Sequence, residues 1–416
     1  MSIIRDITVV AKKYFQDDEI LLFVGARQAG KTTVLRQLEE EVRTVLGAPS
    51  YFLNLEDPEY RALLNASPKN LFKLFTFDLQ RRTFLFIDEV QYLNDPANVL
   101  KYLYDEYHGR IKILASGSSA FYLDEKFKDS LAGRKRILPV RTLSFKEFLR
   151  FKLEPALEER LGGLLSIDAR TRVRQYFEEY MLYGGYPRVV LAPLEEKREL
   201  LKELAYSYVK KDIFEAHVRQ EEVFYKLMKM LASQVGQLFN ASELASTLEV
   251  SKTMIQKYLT VMQKSFHLAL IQPFFKNMRK ELTKMPKVFF MDLGLRNFFV
   301  DKFTTFIVRD DRGALLENAT FRQLLEAYSV EEIRFWRTIG KHEVDFVVRE
   351  EAAYEVKTNP RAVSVRPLKV FMAQYPAIPL TIVSFDCEAR TVGAFPVREV
   401  WEEEATRSVY ENYQSS

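Results

Sequence analysis

The sequence has very little cysteine and little histidine. Cys387 is the single cysteine among 416 residues, which excludes a disulfide framework within one chain and favours a reducing compartment. The four histidines, His108, His217, His267 and His342, lie far apart, so no zinc-site spacing occurs. The excess of positive charge is small, at +4, from 61 Lys and Arg against 57 Asp and Glu. The net charge therefore does not decide for or against a nucleic-acid partner, which depends on clustering of charge on one face.

Long apolar runs are missing as well. No stretch approaches the length of an uncharged membrane-spanning helix. The first 15 residues carry Arg5, Asp6, Lys12 and Lys13 among their apolar residues, unlike a signal peptide. We therefore expect a cytoplasmic protein without a membrane partner. Its length predicts roughly two to four domains.

The first third of the chain alternates short apolar runs with helical patterns. Apolar runs at 19–24, 51–55, 83–87 and 111–115 predict strands, and 139–143 predicts an edge strand. Residues 31–41 and 97–106 have helical periodicity. Continuously apolar strands separated by helices predict an α/β fold, with a parallel sheet covered on both faces.

A P-loop follows the first predicted strand. Its glycines let backbone N–H groups wrap the phosphates, its lysine reaches the β- and γ-phosphates, and its hydroxyl holds Mg²⁺. The strand–loop–helix context favours this interpretation over a chance match and predicts ATP as the ligand. The predicted nucleotide contacts are Gly25, Arg27, Gln28, Ala29, Gly30, Lys31, Thr32 and Thr33.

Two carboxylates, Asp88 and Glu89, end the third predicted strand. We expect Asp88 to orient Mg²⁺ together with Thr32, and Glu89 to polarise the attacking water as general base. The alternative is a solvated acidic pair, which the nearby P-loop disfavours. The pair therefore predicts hydrolysis, in which Lys31 also takes part.

Two further residues are candidates for the nucleotide site. Ser118 follows the fourth predicted strand, where a γ-phosphate sensor would lie, and an ordinary helix-capping turn explains it equally well. Arg134 is the candidate for a transition-state arginine, with Arg27 as a second. Acting in trans, Arg134 requires a homo-oligomer, and acting in cis it does not.

Motifs occur in order along nearly the whole chain, at 25–33 (GARQAGKTT), 87–91 (IDEVQ), 117–119 (GSS), 130–134 (SLAGR), 143–149 (LSFKEFL), 184–187 (GGYP), 286–295 (PKVFFMDLGL) and 335–347 (FWRTIGKHEVDFV). They resemble those of the bacterial and archaeal AAA-like ATPases that carry a C-terminal domain of unknown function. The resemblance implies an ATPase module, a helical lid, a winged-helix segment and a nuclease-like C-terminal domain. We accordingly expect an AAA-like domain at 1–150, a helical lid at 151–230, a winged helix at 231–285 and a PD-(D/E)XK nuclease-like domain at 286–416.

Residues 242–248 and 251–264 have the pattern of a helix-turn-helix, with Ser251 as N-cap. Lys252, Thr253, Gln256 and Lys257 are predicted to face outward, early in the second helix, where DNA is met. The alternative is a winged helix used only for packing. The basic residues Lys276, Arg279, Lys280, Lys284 and Lys287 are predicted to form a wing that reaches phosphates.

Carboxylates and a lysine converge in the predicted C-terminal strands. Glu355 and Lys357 share one face by the two-residue period, and Asp345 lies on the neighbouring strand. With Glu317 from a helix, these carboxylates are the predicted Mg²⁺ ligands, and Glu355 and Lys357 the predicted catalytic pair for phosphodiester cleavage. The pattern is degenerate, so cleavage stays open.

Two functions are therefore predicted. The first is a Mg²⁺-dependent ATPase that couples ATP to DNA binding or processing. The alternative is a nucleotide-dependent switch or scaffold with a protein partner and an inactive C-terminal domain.

Overall fold

The computed structural model describes residues 3–78, 80–117, 131–215, 220–275, 285–387 and 390–402. The chain divides into two compact units whose boundary lies between Thr142 and Leu143. Residues 264–266 belong to the N-terminal unit, although they lie in the C-terminal part of the sequence.

The N-terminal unit is built on a parallel sheet. Its strands, in the spatial order β2-β3-β4-β1-β5, are β1 (Ile20–Val24), β2 (Ser50–Asn54), β3 (Thr83–Asp88), β4 (Ile111–Gly117) and β5 (Lys135–Pro139). Its helices are α1 (Asp6–Lys12), α2 (Lys31–Glu41), α3 (Pro58–Ala66), α4 (Leu71–Leu74) and α5 (Pro96–Tyr107). Every residue of β1, β3 and β4 is buried, which confirms the predicted parallel sheet.

The predicted edge strand at 139–143 is wrong. The strand that pairs with β1 runs from Lys135 to Pro139, with Ile20 opposite Lys135 and Val24 opposite Pro139. This strand begins with two charged residues, so it lacks the apolar run by which strands were predicted from the sequence. The Arg136 guanidinium lies 4.2 Å from the centre of the Tyr14 ring and donates to a Glu19 carboxylate oxygen at 2.9 Å, so the charge is accommodated at the edge of the sheet.

The C-terminal unit begins with helices. These are α6 (Phe145–Phe151), α7 (Pro155–Glu158), α8 (Ile167–Tyr183), α9 (Pro187–Leu191), α10 (Leu194–Glu203), α11 (Val209–Glu215), α12 (Glu221–Ser233), α13 (Ala241–Thr247) and α14 (Lys252–Lys264). Later come α15 (Leu293–Val300), α16 (Arg312–Leu324) and α17 (Val365–Gln374). In the described part of the chain, no helix is both long enough and apolar enough to cross a membrane.

A mixed sheet follows α14. Its described strands are β6 (Leu268–Pro273), β7 (Lys287–Phe290), β8 (Ile333–Arg337), β9 (Glu343–Val348), β10 (Ala352–Val356), β11 (Leu380–Ser384), β12 (Thr391–Val392) and β13 (Phe395–Glu399). Their spatial order is β12-β13-β11-β10-β9-β8-β6-β7. The antiparallel pair β6 and β7 thus continues the sheet of β8 to β11, through a parallel pairing of β6 with β8.

The larger hydrophobic core of the C-terminal unit runs from Leu143 to Trp401, and a second cluster packs around Trp336 and Phe371. The glycine pair at 184–185 contacts the start of α15. Asp292, the N-cap of α15, accepts from the Gly185 N–H at 2.8 Å, and a Cβ added at Gly184 would overlap the Asp292 carboxylate. Gly184 also has a positive φ of 74°. The segments 184–187 (GGYP) and 291–295 (MDLGL) therefore pack directly against each other.

Candidate functional site

The P-loop connects β1 to α2. Gly30 is the N-cap of α2, with a φ of 98°, and Gln28 also has a positive φ of 58°. A Cβ added at Gly25 would overlap the carbonyl oxygen of Val140, so only glycine fits beside β5. Lys31 is buried, and its ammonium donates to the carbonyl oxygens of Gly25 and Ala26 at 3.0 Å each. The loop thus presents a helix N-terminus and an ammonium together, which is an anion-binding arrangement.

Asp88 lies at the end of β3, beside the P-loop. Its carboxylate accepts a hydrogen bond from the buried Ser116 hydroxyl and is also hydrogen-bonded to Thr32. Burial raises the pKa of Asp88, while the Ser116 and Thr32 hydrogen bonds lower it. The Thr32 hydroxyl and the Asp88 carboxylate are hard oxygen donors in contact, which fits the predicted Mg²⁺ site.

Glu89 is held in an unusual backbone conformation. Its φ of 59° places a non-glycine residue in the left-handed region, and its N–H donates to the Ser116 hydroxyl at 3.1 Å. The Gln91 side-chain amide donates to its carboxylate, which is only half-buried. Ser116 therefore links the predicted magnesium ligand to the predicted general base, and sequence reasoning assigned it no role.

Arg5, in the segment before α1, is hydrogen-bonded to the backbone of the P-loop. Its guanidinium is buried and donates to the carbonyl oxygen of Ala29 at 2.9 Å and to that of Arg141 at 3.0 Å. This ties the N-terminal segment to the phosphate-binding loop. A lone basic residue near the N-terminus gave no sequence signal of such a role.

Arg134 does not lie near the P-loop in this chain. It immediately precedes β5, and its carbonyl oxygen accepts from the N–H of Ile20, at the start of β1. The P-loop leaves the other end of β1, about 16 Å away at ~3.3 Å per residue. The Arg134 side chain pairs with Asp105 at 2.7 Å. A role in cis is therefore excluded by its place on the sheet, and the role in trans stays a prediction.

The other predicted nucleotide contacts differ in exposure. Arg27 is buried within the loop, whereas Thr32 and Thr33 are exposed on the first turn of α2. Ser118 lies outside the described residues. These assignments stay predictions.

The predicted acidic residues of the C-terminal unit do come together. The Lys357 ammonium lies 2.6 Å from a Glu355 carboxylate oxygen and 4.0 Å from Asp345. Asp345 also accepts from the Val356 N–H at 2.8 Å, across the β9–β10 pair. Glu317, on α16, belongs to the same cluster. We call Glu317, Glu343, Asp345 and Glu355 the acidic cluster.

Lys287, which was predicted to reach phosphates from a wing, is instead buried among these carboxylates. Its ammonium lies 2.9 Å from Glu317 and 2.6 Å from Glu343, with Asp345 at 3.7 Å. The prediction is wrong for Lys287. This residue begins β7, and its side chain is buried against α16, where it donates to Glu317 and does not reach solvent. Lys276, Arg279, Lys280 and Lys284 lie outside the described residues.

Burial perturbs the protonation of the cluster. It raises the pKa of Glu317 to about 7 and that of Glu355 to about 8, and in both groups the charge of Asp345 adds to the rise. The pKa of Lys287 is raised, because the surrounding carboxylates outweigh the effect of its burial.

The predicted magnesium site at Glu317, Asp345 and Glu355 does not fit this arrangement. Among the described residues, no group of three or more His, Cys, Asp or Glu side chains is placed to hold a metal ion. The Lys287 ammonium lies 2.9 Å from Glu317 and 3.7 Å from Asp345, so a cation already lies beside two of the three predicted ligands. The chemistry of the oxygen donors suits Mg²⁺, but the lysine stands among them.

The predicted DNA-contacting side chains lie on the exposed face of α14. Lys252, Thr253, Gln256 and Lys257 are all exposed. Ser251 caps the helix by accepting from the Met254 N–H at 3.2 Å. The outward orientation is confirmed, and DNA contact stays a prediction.

Family models match three parts of the chain. Residues 17–149 match an AAA domain, residues 174–305 the domain of unknown function DUF8612, and residues 312–391 the domain of unknown function DUF4143. Together with the P-loop geometry, the first match makes the N-terminal unit an AAA-like P-loop ATPase domain.

Relatives from several microbes match most of the chain. An uncharacterized protein of Haemophilus influenzae is 28% identical over 371 residues, which are 83% of this chain and 85% of the relative. The uncharacterized protein MJ1544 of Methanocaldococcus jannaschii is 25% identical over 341 residues, covering 80% of this chain and 72% of the relative. These relatives extend the similarity beyond the ATPase domain and do not name an activity.

Solved structures give more distant likenesses. The Walker-type ATPase PABY2304 of Pyrococcus abyssi has a TM-score of 0.48 and 12% identity, covering 71% of this chain and 95% of that protein. The Aeropyrum pernix ORC1 protein, solved in complex with DNA, has a TM-score of 0.31 and 13% identity, covering 68% and 87%. Likenesses at these scores carry no conclusion about function.

Proposed function

We propose that the chain is a Mg²⁺-dependent ATPase that couples ATP hydrolysis in its N-terminal unit to DNA binding by its C-terminal unit. The observation that carries the enzymatic half is the hydrogen-bond chain from Thr32 through Asp88 and Ser116 to Glu89, beside the P-loop. A phosphate-binding loop alone supports binding. A carboxylate with its own positioning partner supports hydrolysis as well.

Each residue of the site has a role in this proposal. The backbone N–H groups at the start of α2 and the Lys31 ammonium bind the phosphates. Thr32 and Asp88 would hold Mg²⁺, which would neutralise the charge that develops on the phosphates. Glu89 accepts a proton from the attacking water, since its carboxylate is half-exposed beside the loop.

The DNA half of the proposal rests on α14. This helix presents two lysines, Lys252 and Lys257, with Thr253 and Gln256 beside them, on an exposed face near its N-terminus. The α13–α14 pair followed by the β6–β7 hairpin has the element order of a winged helix. Such a helix reads the major groove with its N-terminal residues, while lysines meet phosphates.

A DNA titration tests this half. Duplex DNA is titrated into the full chain at several stated salt concentrations, with and without ATP. Replacing Lys252 and Lys257 with alanine should weaken binding and lower the salt slope by about 2, because each phosphate contact contributes roughly 0.9 to it. Lys226→Ala is the matched control, since Lys226 is an exposed lysine paired with Glu222 on α12. An unchanged slope in the double variant would remove α14 from the DNA interface.

A second candidate function keeps the ATPase and replaces DNA with a protein partner. Here the chain is a nucleotide-dependent switch or scaffold, with a protein partner and a C-terminal unit that cuts nothing. The place of Lys287 among the acidic cluster favours this candidate over a Mg²⁺-dependent nuclease.

DNA nicking tests whether the C-terminal unit also cleaves DNA. Full chain, Mg²⁺ and supercoiled plasmid are incubated, and Glu355→Ala serves as the site variant. Nicking that disappears in Glu355→Ala supports a nuclease built on Glu355, Lys357, Asp345 and Glu317. Absence of nicking in the wild type rejects cleavage by the C-terminal unit, and the DNA titration then separates the two candidates. Nicking that survives the substitution points to a contaminant and rejects the proposed site.

A further inference from the structure

The cation that the acidic cluster holds is Lys287. This lysine opens β7, and its side chain is only 2% exposed. The ammonium lies 2.9 Å from Glu317, on α16, and 2.6 Å from Glu343, on β9. The Phe335 ring lies 5.4 Å from the same ammonium. One lysine thereby connects the hairpin, α16 and two neighbouring strands.

The surroundings satisfy a monovalent ammonium. An ammonium has three donors, and three carboxylates surround this one: Glu317, Glu343 and, more distantly, Asp345. An aromatic face attracts an ammonium further. Burying a charge is costly without partners, so removal of any of these carboxylates leaves the lysine poorly compensated.

The charge balance leaves little attraction for a second cation. The acidic cluster carries four carboxyl groups. Facing them are the ammonium of Lys287, the ammonium of Lys357, and the guanidinium of Arg337, which lies 3.1 Å from Glu343. A divalent ion placed between Glu317 and Asp345 would lie within a few ångströms of the Lys287 ammonium, and like charges at such distances repel strongly in a buried site.

One oxygen of Glu355 is the candidate cation ligand once Lys287 is removed. The Oε1 atom of Glu355 pairs with Lys357, whereas its buried Oε2 atom has no hydrogen-bond partner. Glu355 as a whole is 7% exposed, and it interacts electrostatically with both Asp345 and Glu317. A buried carboxylate oxygen without a partner is a ready ligand for a cation.

From these contacts we infer that Lys287 is the resident cation of the acidic cluster, that it excludes divalent metal ions, and that its removal opens a divalent-cation site formed by Glu317, Asp345 and Glu355. The inference does not depend on ATP turnover. It concerns the C-terminal unit alone and is tested without nucleotide.

The test is a Mn²⁺ titration of the full chain, followed by the electron paramagnetic resonance signal of free Mn²⁺. The contribution of the cluster is the difference between a protein and the same protein carrying Glu317→Gln and Glu355→Gln, because any Mn²⁺ at the P-loop cancels in that difference. The wild type should show no difference. Lys287→Met should bind one additional Mn²⁺ per chain relative to the same variant carrying the two glutamine substitutions.

Lys302→Met is the matched control, because Lys302 pairs with a carboxylate, Asp310, at the surface of the same unit. It should behave as the wild type. A wild-type chain whose bound Mn²⁺ is lost with the two glutamine substitutions overturns the inference, and so does a folded Lys287→Met variant that gains no ion. If Lys287→Met does not fold, as judged by circular dichroism, the wild-type titration alone decides.

Discussion

Removal of the Ser116 hydroxyl is the sharpest perturbation of the nucleotide site. This hydroxyl donates to Asp88 and accepts from the Glu89 N–H at 3.1 Å. A hydrogen bond to a charged group contributes about 1.5–3 kcal/mol, and each 1.36 kcal/mol corresponds to about a tenfold change in rate. Ser116→Ala should therefore lower kcat for ATP hydrolysis by roughly 10- to 100-fold if most of that energy is lost in the transition state.

The same substitution should change the pH dependence. Burial raises the pKa of Asp88, and the Ser116 hydrogen bond lowers it. Without the hydroxyl, the pKa of Asp88 rises further, so the carboxylate that holds Mg²⁺ becomes protonated at a higher pH. Because activity requires the ionised form, the acid limb of the pH–rate profile should move to higher pH.

The assay is steady-state phosphate release, measured across pH with saturating Mg²⁺ and ATP. Thr83→Val is the matched control, since it removes a buried hydroxyl from the start of β3, the end of the sheet opposite Asp88. That variant should keep the wild-type acid limb. An Ser116→Ala enzyme with unchanged kcat and an unchanged acid limb would refute the proposed role of this hydroxyl.

Three further predictions follow from buried contacts. Arg5→Met should raise KM for ATP about tenfold, in turnover assays, because a P-loop carbonyl loses its charged donor; an unchanged KM would contradict this. Gly25→Ala should abolish ATP binding in a fluorescent-nucleotide titration, since its Cβ overlaps the Val140 carbonyl, whereas Gly313→Ala, at an open position, should bind normally. Cys387 is buried and its pKa is raised to about 12, so it should react with a thiol reagent at pH 8 only after unfolding.

Local sequence patterns were sufficient to predict most helices and strands of the N-terminal unit. The P-loop helix was expected at 31–41 and runs from Lys31 to Glu41, because a glycine N-cap and an amphipathic period define it within a few residues. Asp88 and Glu89 come at the end of a buried, mostly apolar strand, so the sequence predicted their place at the carboxyl end of β3.

The sequence could not predict features that depend on contacts between residues distant in the chain. Ser116 became part of the site only because β4 lies beside β3, and Arg134 lost its role in cis because β5 starts at the far end of β1. Lys287 looked like a surface lysine in a basic segment, but strand pairing and α16 bury it. In these cases the partner lies at least 27 residues away in sequence, beyond any local period.

The most direct test of the central claim compares ATP binding with ATP turnover in the full chain. Lys31→Ala should lose both. Glu89→Gln should bind Mg²⁺–ATP as the wild type does and release phosphate at least about 100-fold more slowly, because general-base catalysis contributes roughly 10²- to 10⁴-fold. Turnover by Glu89→Gln at the wild-type rate, with Lys31→Ala still active, would contradict the assignment of this site as an ATPase centre.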